Sequence, residues 1–203
     1  MWFFVVLAVV AGYLLGNLNG AVVASKAMGD DVRTHGSGNA GLTNFIRSYG
    51  VGHAALVIVI DAGKAVVGCL LSGLLLHRYL GFQASLIIGG AAVMLGHVLP
   101  AFLGFRGGKG ILSGFFIALV TDWRVAVLIL AVFALVYVLT GYVSLGSVLA
   151  SVTFALAFAL LHWGNLVIML CGIFMGVLAV VMHGPNIRRL LRGEEQKTNL
   201  FKK

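Results

Sequence analysis

The run Gly104-Phe105-Arg106-Gly107-Gly108-Lys109-Gly110 sets closely spaced glycines beside two cations, between two apolar segments. Glycines at 107, 108 and 110 let successive backbone N–H groups converge without Cβ interference, and Arg106 and Lys109 add positive charge. That combination suits a phosphate. Lys109 is the residue best placed to meet either a bound phosphate or a developing negative charge. The run does not follow the nucleotide P-loop pattern, because no strand precedes it and no Ser or Thr directly follows the lysine, which argues against a nucleoside triphosphatase. His97, in Gly96-His97-Val98-Leu99-Pro100 just upstream, reads either as a satisfied core histidine or as a further polar partner of the same site.

Two other clusters could share that chemistry. Gly36-Ser37-Gly38-Asn39-Ala40-Gly41-Leu42-Thr43-Asn44-Phe45-Ile46-Arg47 is dense in small polar residues and ends on an arginine able to grip an oxyanion with two N–H groups. The blander reading is a turn in which Thr43 or Asn44 caps a helix. His183-Gly184-Pro185-Asn186-Ile187-Arg188-Arg189 stands where the last apolar segment ends. The reference pKa of histidine lies near neutrality, so His183 is a candidate for proton transfer, while Asn186 can donate and accept at the same place. Its blander reading is a membrane-exit turn leading into a basic amphipathic helix. A smaller patch, Ser144-Leu145-Gly146-Ser147, could lend hydroxyl groups to the pocket. The clusters show neither a carboxylate pair suited to a metal nor Cys/His ligand spacing, so the expected pocket holds two anionic groups without a metal or cofactor.

The elements that must carry these clusters are membrane helices. Of 203 residues, 61% are hydrophobic and only 10% charged, against about 25% charged in a soluble domain. Mean hydropathy is +1.07. Apolar stretches at about 2–25, 51–76, 83–103, 108–121, 124–140, 145–161 and 164–183 predict an all-α polytopic membrane protein of about seven transmembrane helices, with short or re-entrant helices in its connections. The fourth stretch is too short to span comfortably. The first has no basic leader and no cleavage site, and reads as a retained helix rather than a signal peptide. Cys69 and Cys171 lie in separate apolar runs and give no disulfide or zinc signal. With no sign of a second, soluble domain, 1–203 reads as a single integral membrane unit.

Seven crossings place the termini on opposite sides. Lys26, Arg33, Arg47, Arg106, Lys109 and the tail residues Arg188, Arg189, Arg192, Lys197, Lys202 and Lys203 then share one face. Only Arg78 and Arg124 fall on the other. Eleven cations against two predict a cytoplasmic C-terminus, an external N-terminus and all three clusters at the inner leaflet. Lys64 falls inside the second segment one turn from Asp61, so the two can pair within the membrane, as a functional site or as an ion pair that fixes packing.

Three motifs resemble those of the bacterial acyl-phosphate-dependent glycerol-3-phosphate acyltransferases: Ser37-Gly38-Asn39-x-Gly41-x-Thr43-Asn44-x-x-Arg47; Gly96-His97-x-x-Pro100-x-Phe102-x-x-Phe105-Arg106-Gly107-Gly108-Lys109-Gly110; and His183-x-x-Asn186-Ile187-x-Arg189-Leu190 followed by Gly193-x-Glu195. Their order and spacing agree over essentially the whole chain, and Asp61-x-x-Lys64 also looks like a family element. Departures are Leu42 and Ala65, where alanine and glycine are usual, Ile111-Leu112-Ser113 after the basic run, and Gly184 after the histidine.

The resemblance implies a seven-helix enzyme of the bacterial inner membrane. It would move a fatty acyl group from acyl phosphate to the sn-1 hydroxyl of glycerol 3-phosphate, giving lysophosphatidic acid and phosphate, the first acylation of phospholipid synthesis. On that reading Lys109, His183 and Asn186 are the catalytic candidates. Ser37, Asn39, Thr43, Asn44, Arg47, His97, Gly107, Gly108, Gly110 and Ser147 are the substrate-binding candidates, the partners are the two substrates and membrane lipid, and no nucleic acid is involved. An organic-phosphate transporter would also explain helices, basic loops and a buried ion pair, although a carrier must expose its site alternately to both faces. A membrane phosphatase for lipid phosphates is the third class; it would release phosphate without an acyl acceptor.

Overall fold

The computed structural model describes residues 1–197; Lys202 and Lys203 of the basic tail lie outside the described residues. The described residues form ten α-helices and two short 3-10 turns, without a strand. The order is α1 Trp2–Gly16, α2 Gly20–Ala27, α3 Leu42–Tyr49, α4 Ala54–Leu80, α5 Phe82–Val98, α6 Ile111–Thr121, α7 Trp123–Thr140, α8 Val143–Leu161, α9 Leu166–Met182 and α10 Gly184–Leu191. Five spans are long and apolar enough to cross a bilayer, the first formed by α1 and α2 together, and α9 with α10, bent by 55°, makes a sixth. Helix α6 has 11 residues, about 16 Å at 1.5 Å per residue, against a hydrocarbon core of about 30 Å. The short fourth segment expected from the sequence is this helix.

The outer faces are apolar: Leu74, Val138, Leu139, Leu160 and Val181 all remain exposed. Surfaces solvated by lipid tails can keep such residues outside, so the helices meet through small residues instead. A Cβ on Gly16 of α1 would lie 2.8 Å from the Gly96 Cα of α5, so the two backbones cross almost in contact.

Side-chain contacts fix which helix ends lie together. Phe4 stacks on Tyr79 at 6.0 Å between ring centroids, Gln83 Nε2 donates to the Thr121 carbonyl at 2.9 Å, and His162 Nε2 meets Asp122 Oδ2 at 2.9 Å. The beginnings of α1, α5 and α7 therefore share one end of the bundle with the ends of α4, α6 and α8. The opposite end carries α2, α3, the Gly104 run, the α7–α8 turn and α10. There Lys197 lies over the Tyr142 ring, 5.4 Å from its centroid.

The α1–α2 break is built by polar side chains. Asn19 caps α2 by accepting from Val22 N at 3.0 Å and donates to the Ala40 carbonyl at 3.0 Å. Asn17 accepts from Phe102 N at 3.1 Å, and Tyr13 donates to the Leu99 carbonyl at 2.7 Å. These bonds tie the break to the loop after α5 and set the height of the glycine run.

Candidate active site

Helix α3 and the loop before it form one wall. Asn44 Oδ1 accepts from Ser37 N at 3.0 Å, and Asn44 Nδ2 donates to the carbonyls of Val32 at 3.1 Å and His35 at 3.0 Å. Asn44 is thus the knot that shapes the loop. Both ends of its side chain are engaged by backbone, and it also lines the cavity described below. The N-cap is Gly41, not Thr43 or Asn44, and it makes no side-chain cap bond. Thr43 and Arg47, four residues apart, project from one face of α3, and both line the cavity described below.

The second wall is the glycine run. Gly107 and Gly108 are not among the residues that line the cavity, whereas Lys109 and Gly110 are. The Gly108 N–H donates to the His97 carbonyl at 3.1 Å. A Cβ at Gly107 would sit 2.7 Å from Pro100 Cδ, and one at Gly108 2.9 Å from the Ala40 carbonyl. Their lack of a side chain serves close packing, and that packing delivers Lys109 and Gly110 to the cavity. His97 is held from behind. Lys64 Nζ, which can only donate, meets His97 Nδ1 at 2.7 Å, Asp61 Oδ1 at 2.8 Å and the Leu18 carbonyl at 2.6 Å. The Gly20 N–H also donates to Asp61 Oδ1, at 3.1 Å. The pair expected within the second segment is therefore a triad whose third member comes from α5.

The third wall comes from the α9–α10 bend. Lys109 Nζ donates to Asn186 Oδ1. Asn186 Nδ2 donates to Glu195 Oε1 at 2.8 Å, and Arg189 Nε donates to Glu195 Oε2 at 2.6 Å. Burial works to raise the Glu195 pKa, but the Asn186 and Arg189 hydrogen bonds outweigh it and hold the carboxyl below its usual range. Glu195 stays ionised and fixes which way the Asn186 amide faces. Glu195 belongs to the third motif, and the fold shows its role: it follows the helical bend and turns back onto Asn186. His183 is buried, and its Nδ1 lies 2.8 Å from the Ala179 carbonyl. A carbonyl only accepts, so Nδ1 carries the proton and Nε2 keeps its lone pair.

These walls enclose a cavity of about 450 Å3. Ser37, Asn39, Thr43, Asn44, Arg47, His97, Lys109, Gly110, Ser147, His183 and Asn186 all line it. Arg189 and Glu195 join them. The remaining lining is apolar, chiefly Ile111, Leu112, Phe115, Phe116, Leu130 and Phe133 from α6 and α7. One end is therefore cationic and hydrogen-bonding, and the other is hydrocarbon.

The glycerol-3-phosphate acyltransferase family model matches residues 6–193. A glycerol-3-phosphate acyltransferase of Thermoanaerobacter sp. (strain X514) is 39% identical over 195 residues, 96% of each chain. The chain belongs to the glycerol-3-phosphate acyltransferase family. The crystal structure of PlsY (YgiH), an integral membrane glycerol 3-phosphate acyltransferase, in its glycerol 3-phosphate form superposes with a TM-score of 0.87 at 30% identity, covering 98% of this chain and 99% of that one. Its lysophosphatidic acid form superposes with a TM-score of 0.84. The protein is thus an integral membrane acyltransferase, and its architecture is that of the family.

Proposed function

We propose that this protein transfers a fatty acyl group from acyl phosphate to the sn-1 hydroxyl of glycerol 3-phosphate, releasing inorganic phosphate and lysophosphatidic acid. The observation that carries this reading is the two-ended cavity, which joins Arg47 and Lys109 to a hydrocarbon wall. A phosphorylated polyol and an acylated phosphate each carry an anionic head, and one of them also brings a long apolar tail. The whole chain, 1–203, acts as one domain in the bacterial inner membrane, with the N-terminus outside and the cavity at the cytoplasmic leaflet.

An acyl phosphate is a mixed anhydride and already activated, so direct attack suffices once both substrates are aligned. The acceptor oxygen bonds to the acyl carbon, the carbon–oxygen bond to phosphate breaks, and phosphate departs with the electron pair. Lys109, held in place through Asn186, meets the growing negative charge. Arg47, with Ser37 and Thr43, holds the phosphate of the acceptor. The hydroxyl proton passes either to His183 Nε2 or to a phosphate oxygen of the substrate.

The test uses detergent-solubilised protein, labelled glycerol 3-phosphate, and acyl phosphate, acyl-CoA and acyl carrier protein as competing donors. Lysophosphatidic acid is expected from acyl phosphate without sealed vesicles. Equal turnover with acyl-CoA would overturn the donor assignment, and label movement only across sealed vesicles would point to a carrier. His183→Ala separates the two proton acceptors. A loss of about 10²-fold or more in kcat assigns the proton to the imidazole, and near-full turnover assigns it to the substrate.

A further inference from the structure

The cavity continues into a narrow crevice of about 30 Å3. The two share Gly110, Ile111, Phe115, Ile129 and Ala150 in their walls. Helical register places the crevice deeper in the bundle. Met94 lies one turn before His97, Ser151 one turn beyond Ser147, and Ala179 one turn before His183. Phe154 and Met175 line it a further turn away.

Gly114 borders this crevice from the middle of α6 and is buried there. Glycine inside a helix is unfavourable relative to alanine, so a buried helical glycine needs a reason. Elsewhere among the described residues the reason is packing. At each other buried helical glycine, an added Cβ would lie no farther than 3.1 Å from a neighbouring atom; at Gly176, for example, it would meet Ala155 Cβ at 2.6 Å. At Gly114 the nearest atom is Met94 Sδ at 4.0 Å. No neighbour demands a glycine at this position. What it leaves is open space in a crevice lined mainly by apolar side chains.

We propose that the crevice receives the terminal carbons of the donor's acyl chain, and that Gly114, by keeping it open, sets the longest chain the enzyme accepts. This inference rests on the acyl-transfer reading above. The occupant follows from continuity: whatever lies along Ile111, Phe115 and Ile129 with its head at Lys109 has its tail aimed between Met94, Gly114 and Phe154. A methyl group at position 114 shortens the channel, and an isopropyl group plugs it.

The experiment measures kcat/KM for saturated acyl phosphates of increasing length with the wild type, Gly114→Ala and Gly114→Val, and records thermal stability for each. Gly114→Val is expected to lower kcat/KM for the longest accepted donor by about tenfold relative to a donor two carbons shorter. Gly114→Ala is expected to shift the profile the same way by less and to raise the melting temperature by about 2 °C. Met175→Ala, which lengthens the crevice, is expected to move the optimum toward longer chains. A length profile unchanged in all three variants, or loss of folding in Gly114→Ala, overturns the proposal. Absence of turnover with every acyl phosphate in the wild type would instead overturn the acyl-transfer reading.

Discussion

Lys109 is the residue where burial and charge oppose each other most directly. Removal from water pushes its ammonium down to about 8, with Glu195 opposing the shift and Arg189 and Arg47 adding to it. A lysine is charged below its pKa, so the free enzyme loses this cation as the pH rises through 8. We predict that kcat/KM falls along an alkaline limb centred near pH 8. The limb in kcat should lie higher, because a bound phosphate favours the ammonium. Lys109→Arg keeps its charge throughout this range and should lose the limb, even if its wider fork lowers the plateau. Persistence of the limb in Lys109→Arg would remove Lys109 as its source. The polar partners of this lysine were legible in the sequence as residue types, since Asn186 and Glu195 sit at fixed spacing after the last apolar run. Their order of contact was not legible, because the 55° bend between α9 and α10 decides which of them faces Lys109.

At the scale of elements, apolar runs announced nearly every helix, and the boundaries moved by only a few residues. The break between α1 and α2 was hidden, because the sequence stays apolar on both sides of Asn17 and Asn19. Its cause lies in a distant segment. Lys64 donates to the Gly16 and Leu18 carbonyls, which the break leaves without helical partners, and the same ammonium holds Asp61 and His97. One buried cation thus joins α1, α4 and α5 and backs the loop that presents Lys109. Removing one partner of a buried ion pair leaves the other unpaired, at a cost of about 3–5 kcal/mol. Lys64→Met is therefore predicted to lower thermal stability sharply. The double variant Asp61→Asn with Lys64→Met should recover part of the loss, giving a coupling of about 0.5–3 kcal/mol in a double-mutant cycle. Simple additivity of the two would mean that Asp61 and Lys64 act independently. Neither variant restores donors to Gly16 and Leu18, so full recovery is not expected. The crevice beside Gly114 was invisible to sequence reading for a related reason: a packing glycine and a space-making glycine look the same until their neighbours are known.

For the whole molecule, the parity of crossings decides where the site lies, and α6 decides the parity. By length alone, α6 would be set aside as too short to span. Its two ends argue otherwise. Gly110, at its start, would place a Cβ 2.7 Å from Met94 Cε near the end of α5, while Thr121 at its end accepts from Gln83 at the start of α5. Helix α6 therefore runs back along most of α5 and carries the chain to the other end of the bundle. Counting α6 as a crossing, we predict seven passes over the described residues, which would put residues 1 and 197 on opposite sides of the membrane. On that topology the described cations are expected to separate by the positive-inside rule, with Arg78 and Arg124 at the end shared with the N-terminus. This orientation can be read with single cysteines placed away from the cavity, in a background where Cys69 and Cys171 are replaced by alanine. In sealed right-side-out vesicles, a membrane-impermeant maleimide is predicted to label Trp2→Cys and to spare Arg192→Cys until the membrane is permeabilised. Labelling of both before permeabilisation would mean an even number of passes. That result would place the C-terminal tail, and with it Asn186 and Glu195, on the outer face, away from a cytoplasmic supply of either substrate.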